Sequence, residues 1–170
     1  MTRTLLVIDV QNEYFPGGAL PLWQPEETEV GIVTAIGQAR ASGDKVVLVQ
    51  HVGKADAGLF AAGSTGAAIR PGILAAAGDA PVVTKQFADA FQDTELTSHL
   101  ADTDVLLIAG MMTQNCVVFT ALSRAADHMR VEVIKELCTA PAEVVHAIAL
   151  NALSSKGLVV SAKDTWPNKD

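Results

Sequence analysis

Asp104-Val105-Leu106-Leu107-Ile108-Ala109-Gly110-Met111-Met112-Thr113-Gln114-Asn115-Cys116 is the stretch on which the fold of this chain turns. An apolar, β-rich run breaks at Gly110 into a short polar elbow, and Cys116 then opens what the spacing predicts as a helix to Met129. Strand, turn and helix in that order form one unit of a parallel α/β sheet. A thiol at a helix N-terminus feels the positive end of the macrodipole, which favours the nucleophilic thiolate. Cysteine is also common as a small buried hydrophobe, so the elbow by itself leaves a structural role open.

The same alternation runs through the whole chain. Thr4–Val10, Lys45–Val49, Pro81–Thr84, Val105–Ala109, Val131–Lys135 and Leu158–Ser161 read as strands. Between them, helices are expected over Glu26–Ser42, Ala67–Ala77, Thr94–Ala101 with Thr94 as N-cap, and Pro141–Ser155 with Pro in the first turn. Six strands with intervening helices predict a parallel sheet covered on both faces, in one domain over residues 1–170. Two long irregular segments, Gln11–Pro25 and Val52–Gly66, both follow strands. They therefore fall at the carboxyl edge of the sheet, where such folds bind ligands.

Composition narrows the partners. The 170 residues are 49% hydrophobic and 18% charged, with a net charge of −7. That balance excludes a disordered chain, and with no Lys/Arg cluster it argues against nucleic acid and against an anionic membrane surface. No apolar run is long enough to span a bilayer, and Leu5–Val10 is interrupted by Asp9 before any signal-peptide pattern develops. The expected location is cytoplasmic. Two cysteines, Cys116 and Cys138, do not make a disulfide framework and suit a reducing compartment.

Two more polar residues end apolar runs on the same edge as Cys116. Asp9 closes strand one within Leu5-Leu6-Val7-Ile8-Asp9-Val10-Gln11-Asn12, and Lys85 follows Val82-Val83-Thr84. A carboxylate so close to a buried run is paired or has its pKa raised, and either state serves to move a thiol proton. Taken singly, Asp9 reads as a turn former and Lys85 as solvated surface. Together with Cys116 they supply an acid–base carboxylate, an orienting cation and a nucleophile.

With those residues in place, the chain resembles the isochorismatase-like cysteine hydrolases, the superfamily of nicotinamidases, N-carbamoylsarcosine amidases, ureidoacrylate amidases and isochorismatases. LLVIDVQNEYFPGGAL matches the first family motif, KQFADAFQDTEL the second with its Ala90-Phe91 pair, and GMMTQNCVVFTALSRA the third, over about Leu5 to Val160. The resemblance implies a three-layer αβα, Rossmann-like fold with a six-stranded parallel sheet. It implies Asp9, Lys85 and Cys116 as the catalytic triad and a non-proline cis peptide between Met111 and Met112. It also implies an oxyanion hole made by the N–H groups of Met112 and Cys116. The chemistry implied is attack of the thiolate on an amide carbonyl, proton return from Asp9 to the leaving amine, and release of a thioester by water.

Departures from the family bear on the substrate. Metal-binding nicotinamidases carry an Asp-x-His pair and a later His after strand two, whereas this chain has Val49-Gln50-His51-Val52-Gly53-Lys54 and no second histidine before His99. No metal and no cofactor are expected, and His51 reads as a wall or hydrogen-bonding residue of the pocket. After strand five, Glu136-Leu137 stands where the family commonly has Asp-Ala. Glu136 is expected to keep the acidic role, Leu137 to narrow the edge, and Cys138 to be structural. Phe15, Phe60 and Phe91 are expected to wall a small-molecule pocket, with His51, Gln114 and Asn115 giving it polarity. Each Phe reads equally as ordinary core. A homo-oligomer, dimer or tetramer, is expected from the apolar composition and from the family's shared pockets. Hydrolysis of a small C–N bond is the favoured activity. Isochorismatase-type vinyl-ether cleavage, and a non-catalytic binding or thiol-sensing protein on the same fold, are the alternatives.

Overall fold

A computed structural model describes residues 1–167. Six strands form one parallel sheet: β1 (Arg3–Ile8), β2 (Lys45–His51), β3 (Val82–Lys85), β4 (Val105–Met111), β5 (Arg130–Thr139) and β6 (Val159–Val160), in the order β3-β2-β1-β4-β5-β6. Successive side chains of a strand point to opposite faces, so each strand feeds two cores. Leu5, Val7, Val46, Leu48, Leu107 and Ala109 enter one core, beneath helices α1 (Pro25–Ala41) and α2 (Pro71–Ala77). Leu6, Ile8, Val47, Val49, Leu106 and Ile108 enter the other, with α3 (Leu96–His99), α4 (Val118–Ala121) and α5 (Glu143–Ser154). A last turn, α6 (Ala162–Thr165), brings Trp166 onto the first core. This is the expected three-layer αβα arrangement.

The chain builds outward from β1 to β3, then crosses back to place β4 on the other side of β1. Strand order reverses between β1 and β4, and the crevice at such a reversal is where an open α/β sheet binds its ligand. Gly110 lets the two strands meet there. It takes φ +127°, and a Cβ at that position would lie 2.0 Å from the Ile8 carbonyl oxygen. Only glycine fits.

Several element boundaries differ from the sequence reading. The helix expected from Cys116 to Met129 is instead one wide π-turn (Thr113–Val117), the single turn of α4, and a 3-10 turn (Arg124–Ala126) capped by the Ser123 hydroxyl. Helix α2 starts at Pro71, not Ala67, because the residue before a proline is pushed out of the helical region; Arg70 sits at φ −54°, ψ 132°. Helix α5 starts at Glu143, leaving Pro141 outside it. The N-cap of α3 is Glu95, while the Thr94 hydroxyl accepts the Leu96 N–H at 3.2 Å. Strand β5 runs on to Thr139, its far end rejoining β4 past an irregularity in register that pairs Gly110 with Cys138 and Met111 with Thr139.

Candidate active site

The ends of β1, β3 and β4 bring Asp9, Lys85 and Cys116 together. Asp9 follows β1 with φ +53°, a left-handed conformation that costs a non-glycine residue on the order of 1 kcal/mol. Lys85 is the last residue of β3. Their side chains are wholly buried and form an ion pair, with Lys85 Nζ 2.8 Å from Asp9 Oδ2. Lys85 Nζ also lies 3.2 Å from Cys116 Sγ, 2.9 Å from the Phe87 carbonyl oxygen and 3.1 Å from His51 Nδ1. An ammonium has three N–H groups and no lone pair. His51 must therefore accept at Nδ1, which assigns its proton to Nε2. The three N–H groups meet His51, Phe87 and Cys116, while both Asp9 oxygens are buried without a hydrogen-bond partner and are held by the charge of Lys85.

The electrostatics of this group differ from the dipole-activated thiolate that the sequence suggests. Burial, and then the Asp9 charge, push the Cys116 thiol up to about 12, against the pull of Lys85. The one-turn α4 is too short to oppose this. Burial also raises the Asp9 carboxyl above the ordinary range, opposed by Lys85. For Lys85 burial works against the charge, yet Asp9 and Cys116 outweigh it and hold the pKa above the usual lysine value. Asp9 and Cys116 thus compete for one proton beside a fixed cation. Moving that proton from sulfur to carboxylate leaves the net charge of the site unchanged, so burial does not block it. The pair titrates as a unit.

The elbow behind the thiol is compact. The Met111–Met112 peptide is cis. The Asn115 and Val117 N–H groups both donate to the Met112 carbonyl, at 3.1 and 3.3 Å. Among the described residues no acceptor holds the Met112 N–H.

The structure sorts the remaining sequence expectations. His51 joins the trio through Lys85, and burial first, then the Lys85 charge, keep its pKa below the usual imidazole value. Phe60 stands edge-on to the His51 ring, with centroids 5.3 Å apart. Phe91 is buried in the same apolar cluster as Cys116. Asn115 is partly exposed on the elbow, and Gln114 Nε2 donates to Met112 Sδ at 3.4 Å while its Oε1 is buried without a partner. Phe15, expected in the pocket wall, is a core residue with the Arg70 guanidinium 4.1 Å over its ring. Glu136 is turned to another task, accepting the Ala162 N–H at 3.0 Å at the start of α6. Leu137 packs in the first core and Cys138 in the second. A cleft of about 310 Å³ at the end of β3 is lined by Thr84, Lys85, Gln86, Phe87 and Asp93; Asp9 and Cys116 are not part of its wall.

Two residues that sequence reading passed over hold the site in place. Gln11 is fully buried and grips the backbone of His51 from both sides. Its Oε1 accepts the His51 N–H at 2.9 Å, and its Nε2 donates to the carbonyls of His51 and Ala67 at 2.8 and 2.7 Å. Glu13 joins the two long loops, accepting the Ala19 N–H at 2.9 Å and the Phe60 N–H at 3.1 Å. Gly66 makes room for it, since a Cβ there would lie 2.4 Å from Glu13 Oε2. Nothing in the sequence marks these two side chains as buried, because their partners come from distant segments.

The Isochorismatase domain profile matches residues 3–165. Among solved structures, a candidate isochorismatase hydrolase from Oleispira antarctica is 34% identical, with a TM-score of 0.88 over 98% of this chain and 97% of that one. A candidate isochorismatase from Burkholderia xenovorans LB400 is 33% identical, with a TM-score of 0.87 over 96% of this chain and 85% of that one. The uncharacterised isochorismatase family protein YddQ of Bacillus subtilis is 29% identical over 97% of each chain.

Proposed function

The chain belongs to the isochorismatase family of hydrolases, and from that premise we propose that it is a cysteine hydrolase cleaving a C–N bond, amide or ureido, of a small metabolite. One observation carries the reading: a buried lysine ammonium in contact with both a carboxylate and a thiol, at 2.8 and 3.2 Å. A sensor cysteine has no use for such a pair, whereas acyl transfer needs all three groups.

The steps follow from the geometry. Asp9 takes the Cys116 proton, and the Lys85 N–H already directed at the sulfur stabilises the new thiolate. The thiolate attacks the substrate carbonyl carbon, and the N–H groups of Met112 and Cys116 receive the oxyanion. The C–N bond breaks as Asp9 returns its proton to the leaving nitrogen. Asp9 then takes a proton from water, whose oxygen attacks the thioester carbonyl and releases the acid and the free thiol. No metal or cofactor enters any step. The Nε2–H of His51, with Phe60 edge-on to its ring, serves to hold the substrate, and Phe91 walls the pocket from the Cys116 side.

A cytoplasmic location suits a mechanism that needs a reduced thiol. We also infer a dimer or tetramer, supported by the exposed apolar side chains of Phe119, Leu122, Val144 and Ile148.

The test is ammonia release from a panel of small amides, ureido acids and nicotinamide, without added metal, by wild type and Cys116→Ala. Turnover by the wild type that vanishes in the variant is the expected result. The raised pKa of Asp9 favours one second reading, acid-catalysed vinyl-ether cleavage without the thiol. Activity on such ethers that survives Cys116→Ala, with silence across the amides, would establish that reading instead.

A further inference from the structure

The elbow that carries the nucleophile is not held by a long helix behind it, since α4 is a single turn of four residues. In its backbone the Asn115 and Val117 N–H groups donate to the Met112 carbonyl, and the Val118 N–H donates to the Thr113 and Asn115 carbonyls. Beyond the backbone bond at its carbonyl, Thr113 is held by its side chain. Thr113 is fully buried, and its hydroxyl meets His146 Nδ1 at 2.8 Å. His146 stands in the first turn of α5, its ring tilted against Trp23 with centroids 5.8 Å apart. Trp23 is itself tied down: its N–H donates to the Ala140 carbonyl at 2.9 Å, and its own carbonyl accepts the Thr139 hydroxyl. The first long loop, the end of β5 and α5 therefore meet at one side-chain bond into the elbow.

We propose that His146 is a positioning residue for the oxyanion-binding elbow. Through Thr113 it fixes the segment that follows Met112, so that the Met112 N–H keeps its aim at the carbonyl oxygen of an acyl donor attacked by Cys116. The inference rests on the thioester reading above. Without His146 the buried Thr113 hydroxyl loses its partner, and a buried polar group left unpaired drives local rearrangement. Misplacement of a reacting group by about 1 Å is enough to cost on the order of a hundredfold in rate. The contact is distinct from the Lys85 contact, which sets the charge of the sulfur and not the direction of the oxyanion donors.

Two reactions of the same thiol separate these roles. Acylation by p-nitrophenyl acetate, read as a burst of p-nitrophenolate, passes through a tetrahedral oxyanion and needs the elbow. Alkylation by iodoacetamide displaces iodide at a saturated carbon and forms no oxyanion. Both are measured on the full chain carrying Cys138→Ala, which leaves Cys116 as the sole thiol. Thr113→Val and His146→Ala are expected to slow acylation by about ten- to a hundredfold while leaving alkylation within about twofold. Thr113→Ser, which keeps the hydroxyl, is expected to retain both rates. Equal losses in both reactions would reduce the bond to a general packing contact, and no loss in either would remove it from the mechanism; each result overturns the proposal. A wild-type Cys116 that is alkylated but never acylated sinks the thioester reading and this inference with it, a pattern unlike either failure of the brace alone.

Discussion

Lys85 sits where a lysine is seldom found, with no solvent and two groups that share a single proton. That arrangement makes Asp9→Asn act in opposite directions on two readouts. The Asp9 charge is one cause of the raised Cys116 pKa, so its removal lowers the thiol pKa, and alkylation by iodoacetamide at pH 7.5 becomes faster than in wild type. The same variant has no base or acid for the amide reaction, and ammonia release falls by about a thousandfold. Slower alkylation in Asp9→Asn would contradict the shared-proton picture. His51 and His146 are both held below the ordinary imidazole pKa, by burial first. A depressed histidine gives stability that is present above its unfolded pKa and lost as pH falls toward its folded one. Thermal melts are therefore expected to show Tm dropping as pH goes below about 6.5, with a shallower slope in His51→Asn. A slope identical in His51→Asn and wild type would mean that the His51 ring is not held neutral. Asp9 and Lys85 were legible because each ends an apolar run, and Cys116 because it follows the elbow after one, positions that topology alone carries to one edge. Gln11, Glu13, Thr113 and His146 were not, because their burial and their partners depend on which distant segments fold over them.

Strands were the elements most readable from sequence, since β1, β2 and β4 are buried on both faces and appear as unbroken apolar runs. Helical spacing misled after Cys116. Val117, Val118 and Ala121 have the periodicity of a helix face, but Ser123 starts a separate capped turn and the chain must descend quickly to reach β5. The far end of β5 was missed because Glu136-Leu137-Cys138-Thr139 is ordinary in strand preference and is fixed by pairing to Gly110 and Met111. Gly110→Ala tests how closely β4 must approach β1. A Cβ 2.0 Å from the Ile8 oxygen, on a backbone at φ +127°, is expected to cost at least about 3 kcal/mol in urea unfolding. A loss below about 1 kcal/mol would show that the strands part without penalty. Glu13→Ala tests the clasp between the two long loops. It leaves the Phe60 and Ala19 N–H groups without an acceptor, for about 1–3 kcal/mol, and is expected to speed proteolytic cleavage within residues 52–66. Unchanged cleavage there would mean the loops are held by other contacts.

At the scale of the whole molecule, the reversal of strand order between β1 and β4 gathers the trio, and two apolar cores hold the sheet rigid beneath it. Rigidity of that kind suits a site whose groups must stay within a few tenths of an ångström while charge moves between them. Sequence gave the layers and the edge, but not the closure: Asp9, Lys85 and Cys116 are each 3% exposed or less, a feature of packing that no run of residues reveals. The proposed assembly is checked by light scattering, where a mass of two or four times 17.8 kDa is expected and a monomer would contradict it. The central claim is covalent catalysis by Cys116, and its most direct test is mass spectrometry of enzyme quenched in acid during turnover of an amide from the panel. An acyl group added to the Cys116 peptide, formed and lost at rates matching ammonia release and absent in Cys116→Ala, is the expected result. Turnover that proceeds with Cys116 unmodified at every time point, and that persists in Cys116→Ala, would contradict it.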